Sequence, residues 1–196
     1  MSADLAQQGD RPGPKQPSTD KRSGRGARVA FEWVALVLLA LLIALLIKTF
    51  LFQSFWIPSA SMEPTLKVHD RVLVNKLSYD LHNVHRGDII VFKAPPGSDL
   101  GYDDLVKRVI GLPGETVSGS GGHVFIDGKQ LPEPYLPKGT YTSDFAPVKI
   151  GADHYWMMGD NRENSTDSRV FGTIPKKAIV GPVFVRIWPL SRLGFF

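Results

Sequence analysis

The pattern of apolar and polar positions changes character twice along the chain. From Met1 to Arg28 large apolar side chains are nearly absent, while Gly, Pro, Gln, Ser and charged residues dominate. Such a segment cannot bury enough surface to offset its ordering entropy, so residues 1–28 read as a disordered basic arm. The run Trp33-Val-Ala-Leu-Val-Leu-Leu-Ala-Leu-Leu-Ile-Ala-Leu-Leu-Ile47 is then apolar at every position. It lacks the polar face of an amphipathic surface helix. With Ala30, Phe31 and Phe50-Leu51-Phe52 it reaches the roughly 20 residues that cross a bilayer. This predicts a transmembrane helix over residues 29–52. Glu32 and Lys48 flank its strict core, where a long charged side chain can reach the headgroups.

From Gln53 onward the texture is that of short β-strands. Arg71-Val-Leu-Val-Asn75 alternates as a half-buried strand does, and Asp88-Ile-Ile-Val-Phe92 is a continuous apolar strand. Pro95-Pro96-Gly97 marks a loop. Asp104-Leu-Val-Lys-Arg-Val-Ile110 is strand-like and ends at Gly111-Leu-Pro-Gly114. His123 to Leu131 predicts a hairpin turning at Asp127-Gly128. Ser118-Gly-Ser-Gly-Gly122 reads as a flexible link, and Pro132 to Pro137 as extended or loop. Strands resume at His154–Met158 and Ile179–Ile187. The fold class predicted is mainly β: an antiparallel domain over residues 53–196 on one N-terminal membrane helix, with a small cap-like insert at 118–154.

Charge adds a direction to this plan. Lys15, Lys21, Arg22, Arg25 and Arg28 precede the span. The positive-inside rule then keeps the N-terminus cytoplasmic and puts the β-domain outside. The same arm also fits a cleavable signal peptide, with small residues at Ser59-Ala60-Ser61. The bulky stretch from Phe50 to Ile57 separates those from the apolar run and favours an uncleaved anchor. The net charge of +4 sits largely in the arm. No basic stripe or recognition helix follows it, so no nucleic-acid partner is expected. The absence of cysteine excludes disulfides, thiol catalysis and thiolate metal sites. His82 and His85 have a ligand-like i, i+3 spacing but no third partner, and read as solvated loop histidines. No G-x-S-x-G elbow is present. Phe55, Trp56, Trp188, Phe195 and Phe196 suit an interfacial belt or an ordinary core equally.

The candidate chemistry lies in four clusters. They are Ile57-Pro-Ser-Ala-Ser-Met-Glu-Pro-Thr-Leu66, Arg86-Gly-Asp-Ile-Ile-Val-Phe92, Val106-Lys-Arg-Val-Ile-Gly-Leu-Pro-Gly-Glu115 and Gly159-Asp-Asn-Arg-Glu-Asn-Ser-Thr-Asp-Ser-Arg169. A serine hydroxyl needs an adjacent base to act as a nucleophile. A lysine can be that base only when neutral, which desolvation promotes. In a strand, Leu105, Lys107 and Val109 share one face, and Val106, Arg108 and Ile110 the other. Lys107 thus suits a buried amine, though the pattern alone favours a solvent-facing lysine on an edge strand. Ser61 alone reads as a turn serine before Met62-Glu63-Pro64. The fourth cluster alone reads as a polar surface loop.

Taken together, in this order and behind an anchor, the clusters resemble the bacterial type I signal peptidases, a family of Ser-Lys serine endopeptidases. The resemblance covers Ile57 to Arg169. It implies Ser61 as nucleophile and Lys107 as general base. It also implies Ser59, with the Ser61 amide, as oxyanion donor. Ser165 matches a serine that hydrogen-bonds the lysine. Asp167 and Arg169 match a supporting ion pair, and Asp160 a partner of Arg108. Ala60 stands where the family often has glycine, and Glu115 where it often has aspartate. The implied partners are signal peptides of exported preproteins, cut after small residues in an A-x-A pattern, and the lipid bilayer. No metal or cofactor is implied. Phe55, Ile57 and Pro58 precede Ser59, while Leu105 and Val106 precede Lys107, so these five are expected to wall shallow substrate pockets. The rival readings are a Ser-Lys peptidase with one dedicated substrate, and an inactive membrane-anchored binding module. A self-cleaving repressor would carry a DNA-binding domain, and none is seen.

Overall fold

The computed structural model describes residues 13, 23–98 and 101–196. Most of the expected arm lies outside them. The chain divides into two compact units, residues 1–44 and 45–196. Helix α1 runs over Ser23–Phe50 and so starts ahead of the apolar pattern. Its stretch Arg28–Leu45 has a mean hydropathy of 2.3 with no residue buried, long and apolar enough by length and composition to cross a membrane. Phe52, expected as the last residue of the span, instead begins a strand.

The second unit is mainly antiparallel β. Its larger sheet holds β1 (Phe52–Trp56), β2 (Arg71–Asn75), β3 (Ile89–Lys93), β4 (Asp104–Gly111), β9 (His154–Met158), β10 (Ile174–Pro175), β11 (Ile179–Trp188) and β12 (Gly194–Phe195). The strand order is β1-β2-β11-β3-β4-β9-β10, with β12 paired to β11. A smaller sheet orders as β7-β6-β5-β8, from β5 (Thr116–Ser120), β6 (His123–Ile126), β7 (Lys129–Gln130) and β8 (Phe145–Lys149). Two one-turn helices, α2 (Ser78–Leu81) and α3 (Ser168–Phe171), complete the unit.

The pattern explains the layers. In β2 the valines at 72 and 74 are buried and their neighbours are not, whereas β3 is buried on both faces between β11 and β4. Continuous apolar runs belong in such central positions. One core cluster joins Ile57, Met62 and Leu66 to the inward valines of β2, and a second joins Leu105 and Val109 to Ile90, Phe92 and Met157. The β6–β7 hairpin turns at Asp127 and Gly128, both at positive φ (47° and 76°), as a two-residue hairpin turn requires.

Two readings need correction here. Ser118–Gly122 is not a flexible link: residues 118–120 end strand β5 and Gly121-Gly122 makes the turn into β6. Gly119 is there for close packing, since a Cβ would lie 2.4 Å from the Phe145 ring. Strand β8 escaped the sequence reading because it has only two half-buried positions and carries Pro147, which an edge strand tolerates. The small sheet, which lies in the expected cap-like insert, packs on the larger one. Val117, Val124 and Ile150 share a buried cluster with Ile110, Trp156 and Met158 of the larger sheet. Among the aromatics left open above, Phe55 packs on the core, while Trp56, Trp188, Phe195 and Phe196 are exposed.

Candidate active site

The segment after β1 is pinned at both ends. The Ile57 amide donates to Asp70 O and the His69 amide to Ile57 O. Between them Ala60–Met62 forms a 3-10 turn, with Met62 and Leu66 fully buried. These apolar anchors hold Ser61 on a fixed turn facing β4. The opposite loop grips the same turn, because the Asn161 amide donates to Ser61 O (3.1 Å) and Asn161 Nδ2 to Ala60 O (3.1 Å).

On β4, Lys107 is 4% exposed and its Nζ donates to Ser61 Oγ at 2.7 Å. Burial lowers the Lys107 pKa from 10.5 to about 8. The carboxylates of Asp167 and Asp160 oppose that shift, and the Arg169 guanidinium adds to it. A largely desolvated amine against a hydroxyl can take up that hydroxyl's proton near neutral pH. Ser59 Oγ donates to Ser61 Oγ at 3.3 Å, so a second hydroxyl stands beside the first.

The arginine after Lys107 points the other way and carries a buried network. Arg108 Nε and Nη2 donate to the two oxygens of Asp160 (2.8 and 2.6 Å), and Nη1 to Gly87 O (2.7 Å). Thr65 donates to Asp160 at 2.5 Å, linking the Ser61 segment to that pair. The Arg108 guanidinium also lies 4.0 Å from the Tyr135 ring centre. Asp167 accepts from Arg169 Nε and Nη2, both at 2.8 Å, and from the Gly159 amide at 3.0 Å. A two-toothed, buried pair of this kind fixes geometry as well as charge.

Ser165 departs from its expected contact. Its Oγ is buried and has no hydrogen-bond partner, so the bond to Lys107 is not formed. The hydroxyl instead lies against Gly159, where a Cβ would come within 2.3 Å of it, and the Lys107 amine is engaged with Ser61.

Sequence reasoning missed Arg162 and Glu133. The Arg162 side chain is fully buried and makes a two-toothed pair with Glu133, while its Nε donates to Gly159 O (2.9 Å). Its place inside the fourth cluster was the available signal. Its partner, 29 positions away, left none.

Two cavities open beside Ser61. One, of about 230 Å³, is walled by all five expected pocket residues, Phe55, Ile57, Pro58, Leu105 and Val106. The other, about 220 Å³, reaches Asn164 and Thr166. Both touch Ser59, Ser61, Lys107 and Tyr102, and Tyr102 was also missed. A cavity of about 710 Å³ lies elsewhere, with neither Ser61 nor Lys107 in its wall.

An apolar helix ahead of an antiparallel β-domain, with a lysine amine against a serine hydroxyl, is the plan of a membrane-anchored serine endopeptidase. Residues 30–188 match the family described as Signal peptidase, peptidase S26, and the chain belongs to that family. It is 39% identical to a signal peptidase I from Leptolyngbya laminosa, over 97% of this chain and 96% of that protein. It is 41% identical to a probable signal peptidase I-2 from Synechocystis, over 79% of this chain and 72% of that one. Signal peptidase I T of Bacillus subtilis is 37% identical over 91% of this chain and 96% of its own. A solved signal peptidase I from Enterococcus faecalis is 32% identical, covering 52% of this chain and 97% of that one with a TM-score of 0.45. The activity is that of a type I signal peptidase, and the helix makes it a membrane-anchored one.

Proposed function

We propose that this enzyme removes signal peptides from exported preproteins by a Ser61–Lys107 dyad working at the outer face of the membrane. The observation that carries the reading is the 2.7 Å contact between a buried, pKa-lowered amine and a hydroxyl on a pinned turn. With Lys107 neutral the hydrogen bond runs from Ser61 Oγ–H to Nζ. The amine takes the proton as Oγ attacks the scissile carbonyl carbon. The Ser59 hydroxyl and Ser61 amide stabilise the negative oxygen that forms. The carbon–nitrogen bond then breaks, and the Lys107 ammonium gives its proton to the leaving amine. A water, deprotonated by the same lysine, attacks the acyl ester and releases Ser61. Asp160–Arg108 and Asp167–Arg169 hold the two segments in register. Ser165, whose buried hydroxyl has no other partner, supports the lysine once substrate enters.

The test is cleavage of a preprotein by the purified chain in detergent. Ser61→Ala and Lys107→Met are each expected to abolish it, with the double variant no worse than either single one, as for groups that act as a unit. Robust cleavage by either single variant overturns the dyad.

A further inference from the structure

The 710 Å³ cavity takes no part in the chemistry above, yet falls within the range of about 300–1,000 Å³ typical of small-molecule sites. Lys76, Lys176 and Lys177 converge on it. Among the described residues none of these three lysines is in an ion pair, and Asp153 is the one carboxylate in the wall. Lys176 and Lys177 sit side by side on a 3-10 turn between β10 and β11, tied down where the Lys176 amide donates to Asp153 O (2.7 Å). Between the lysines the wall is apolar, from Pro175, Ile179 and Val180. The Tyr79 ring closes it, with its hydroxyl already committed to Asp88 at 2.7 Å. Unneutralised ammonium groups around an apolar floor suit a ligand with an anionic head and a greasy neck.

The position of the cavity names the source of that head. Leu51 is the first residue after α1, and its carbonyl accepts from the Lys76 amide at 2.9 Å. The β1–β2 register repeats the juxtaposition by pairing Phe52 with Asn75. Leu51 lies four residues past Ile47, the last residue of the apolar run. At about 1.5 Å per residue that is about 6 Å along the chain. The polar layer on each side of a bilayer core is of similar depth, roughly 5–8 Å. The chain thus ties Lys76 within a few residues of the end of the apolar run, a span comparable to that layer.

We infer that this cavity binds the phosphate headgroup of an anionic phospholipid, a role that depends on membrane anchoring and not on the dyad. Lysines near an anionic surface each strengthen attraction by about fivefold, so three contribute on the order of 100-fold. Full-length protein in a neutral detergent, titrated with short-chain phosphatidylglycerol, phosphatidylcholine or inorganic phosphate and read by native mass spectrometry, tests this. Phosphatidylglycerol is expected to bind at least tenfold more tightly than phosphatidylcholine. The triple variant Lys76→Gln, Lys176→Gln, Lys177→Gln should lose that preference while keeping its thermal melting. The control Lys67→Gln, Lys129→Gln, Lys138→Gln should keep it. Absence of the preference, or equal loss in the control, overturns the site. Inorganic phosphate displacing the lipid at like concentration also overturns it, in favour of a free-phosphate site. Because cleavage is not the readout, failure here and failure of the dyad are separate results.

Discussion

A single amine carries most of the pH behaviour expected of this enzyme. In the proposed dyad Lys107 must be neutral in the free enzyme to accept the Ser61 proton, and burial brings its pKa from 10.5 to about 8. Below pH 8 the ammonium form dominates and activity falls; above it the neutral amine dominates and activity rises. The kcat/KM profile is therefore expected to show one ascending limb near pH 8. A limb at the ordinary lysine value, about 10.4, would contradict burial of the amine in the working enzyme. Lys107→Arg should be inactive at every pH, because a guanidinium stays protonated. At this scale the sequence was informative about identity and silent about contact. Strand alternation put Lys107 on the face of Leu105 and Val109, but only the resemblance, not the pattern, made that the buried face. Nothing local could tell that Arg162 would meet Glu133, because that meeting is made by the chain returning from 29 positions away.

Among the elements, those with alternating or continuous apolar runs or a turn with fixed chemistry were legible: β2, β4, β9 and the hairpin at Asp127-Gly128 stand where the pattern placed them. Those held mainly by neighbours were not, and β5 and β8 are examples, with Gly119 and Pro147 breaking their local signal. The loop from Gly159 to Arg169 shows what such neighbour-dependence means for activity. A Cβ on Gly159 would lie 2.4 Å from Ser61 O, a backbone atom that cannot swing aside. Gly159→Ala should thus push the Ser61 turn away from β4 and lower kcat by on the order of 100-fold, the cost of a displacement near 1 Å at a reacting group. Gly151→Ala, whose Cβ would meet only His154 at 3.6 Å, serves as the control and should be near wild type. The walls of the 230 Å³ cavity come from two stretches, the end of β1 with the segment after it, and strand β4 with the two residues before it. A substrate lying between them as an extended strand would send alternate side chains into them. In a preprotein scan, Ala→Leu at the first position before the cut should block cleavage, and the same change at the second should be tolerated. Equal cleavage of Ala and Leu at the first position would sink the pocket model even with the dyad intact.

For the whole molecule the charge distribution predicts a direction. Residues 11–28 hold six Lys and Arg, whereas residues 53–70, just after the span, hold Lys67 alone. Flanks within about 15–20 residues of a span are the ones that orient it, the richer flank staying in the cytoplasm. The β-domain is therefore expected outside, where exported chains emerge and a lysine base meets extracytoplasmic pH. The chain has no cysteine, so single introduced thiols report topology without background. Lys129→Cys on the exposed β6–β7 hairpin should react with a membrane-impermeant maleimide on intact spheroplasts. Ser18→Cys in the arm should react only after lysis. The reverse labelling pattern would put the dyad in the cytoplasm, away from its substrates, and the proposed site of action would fall with it.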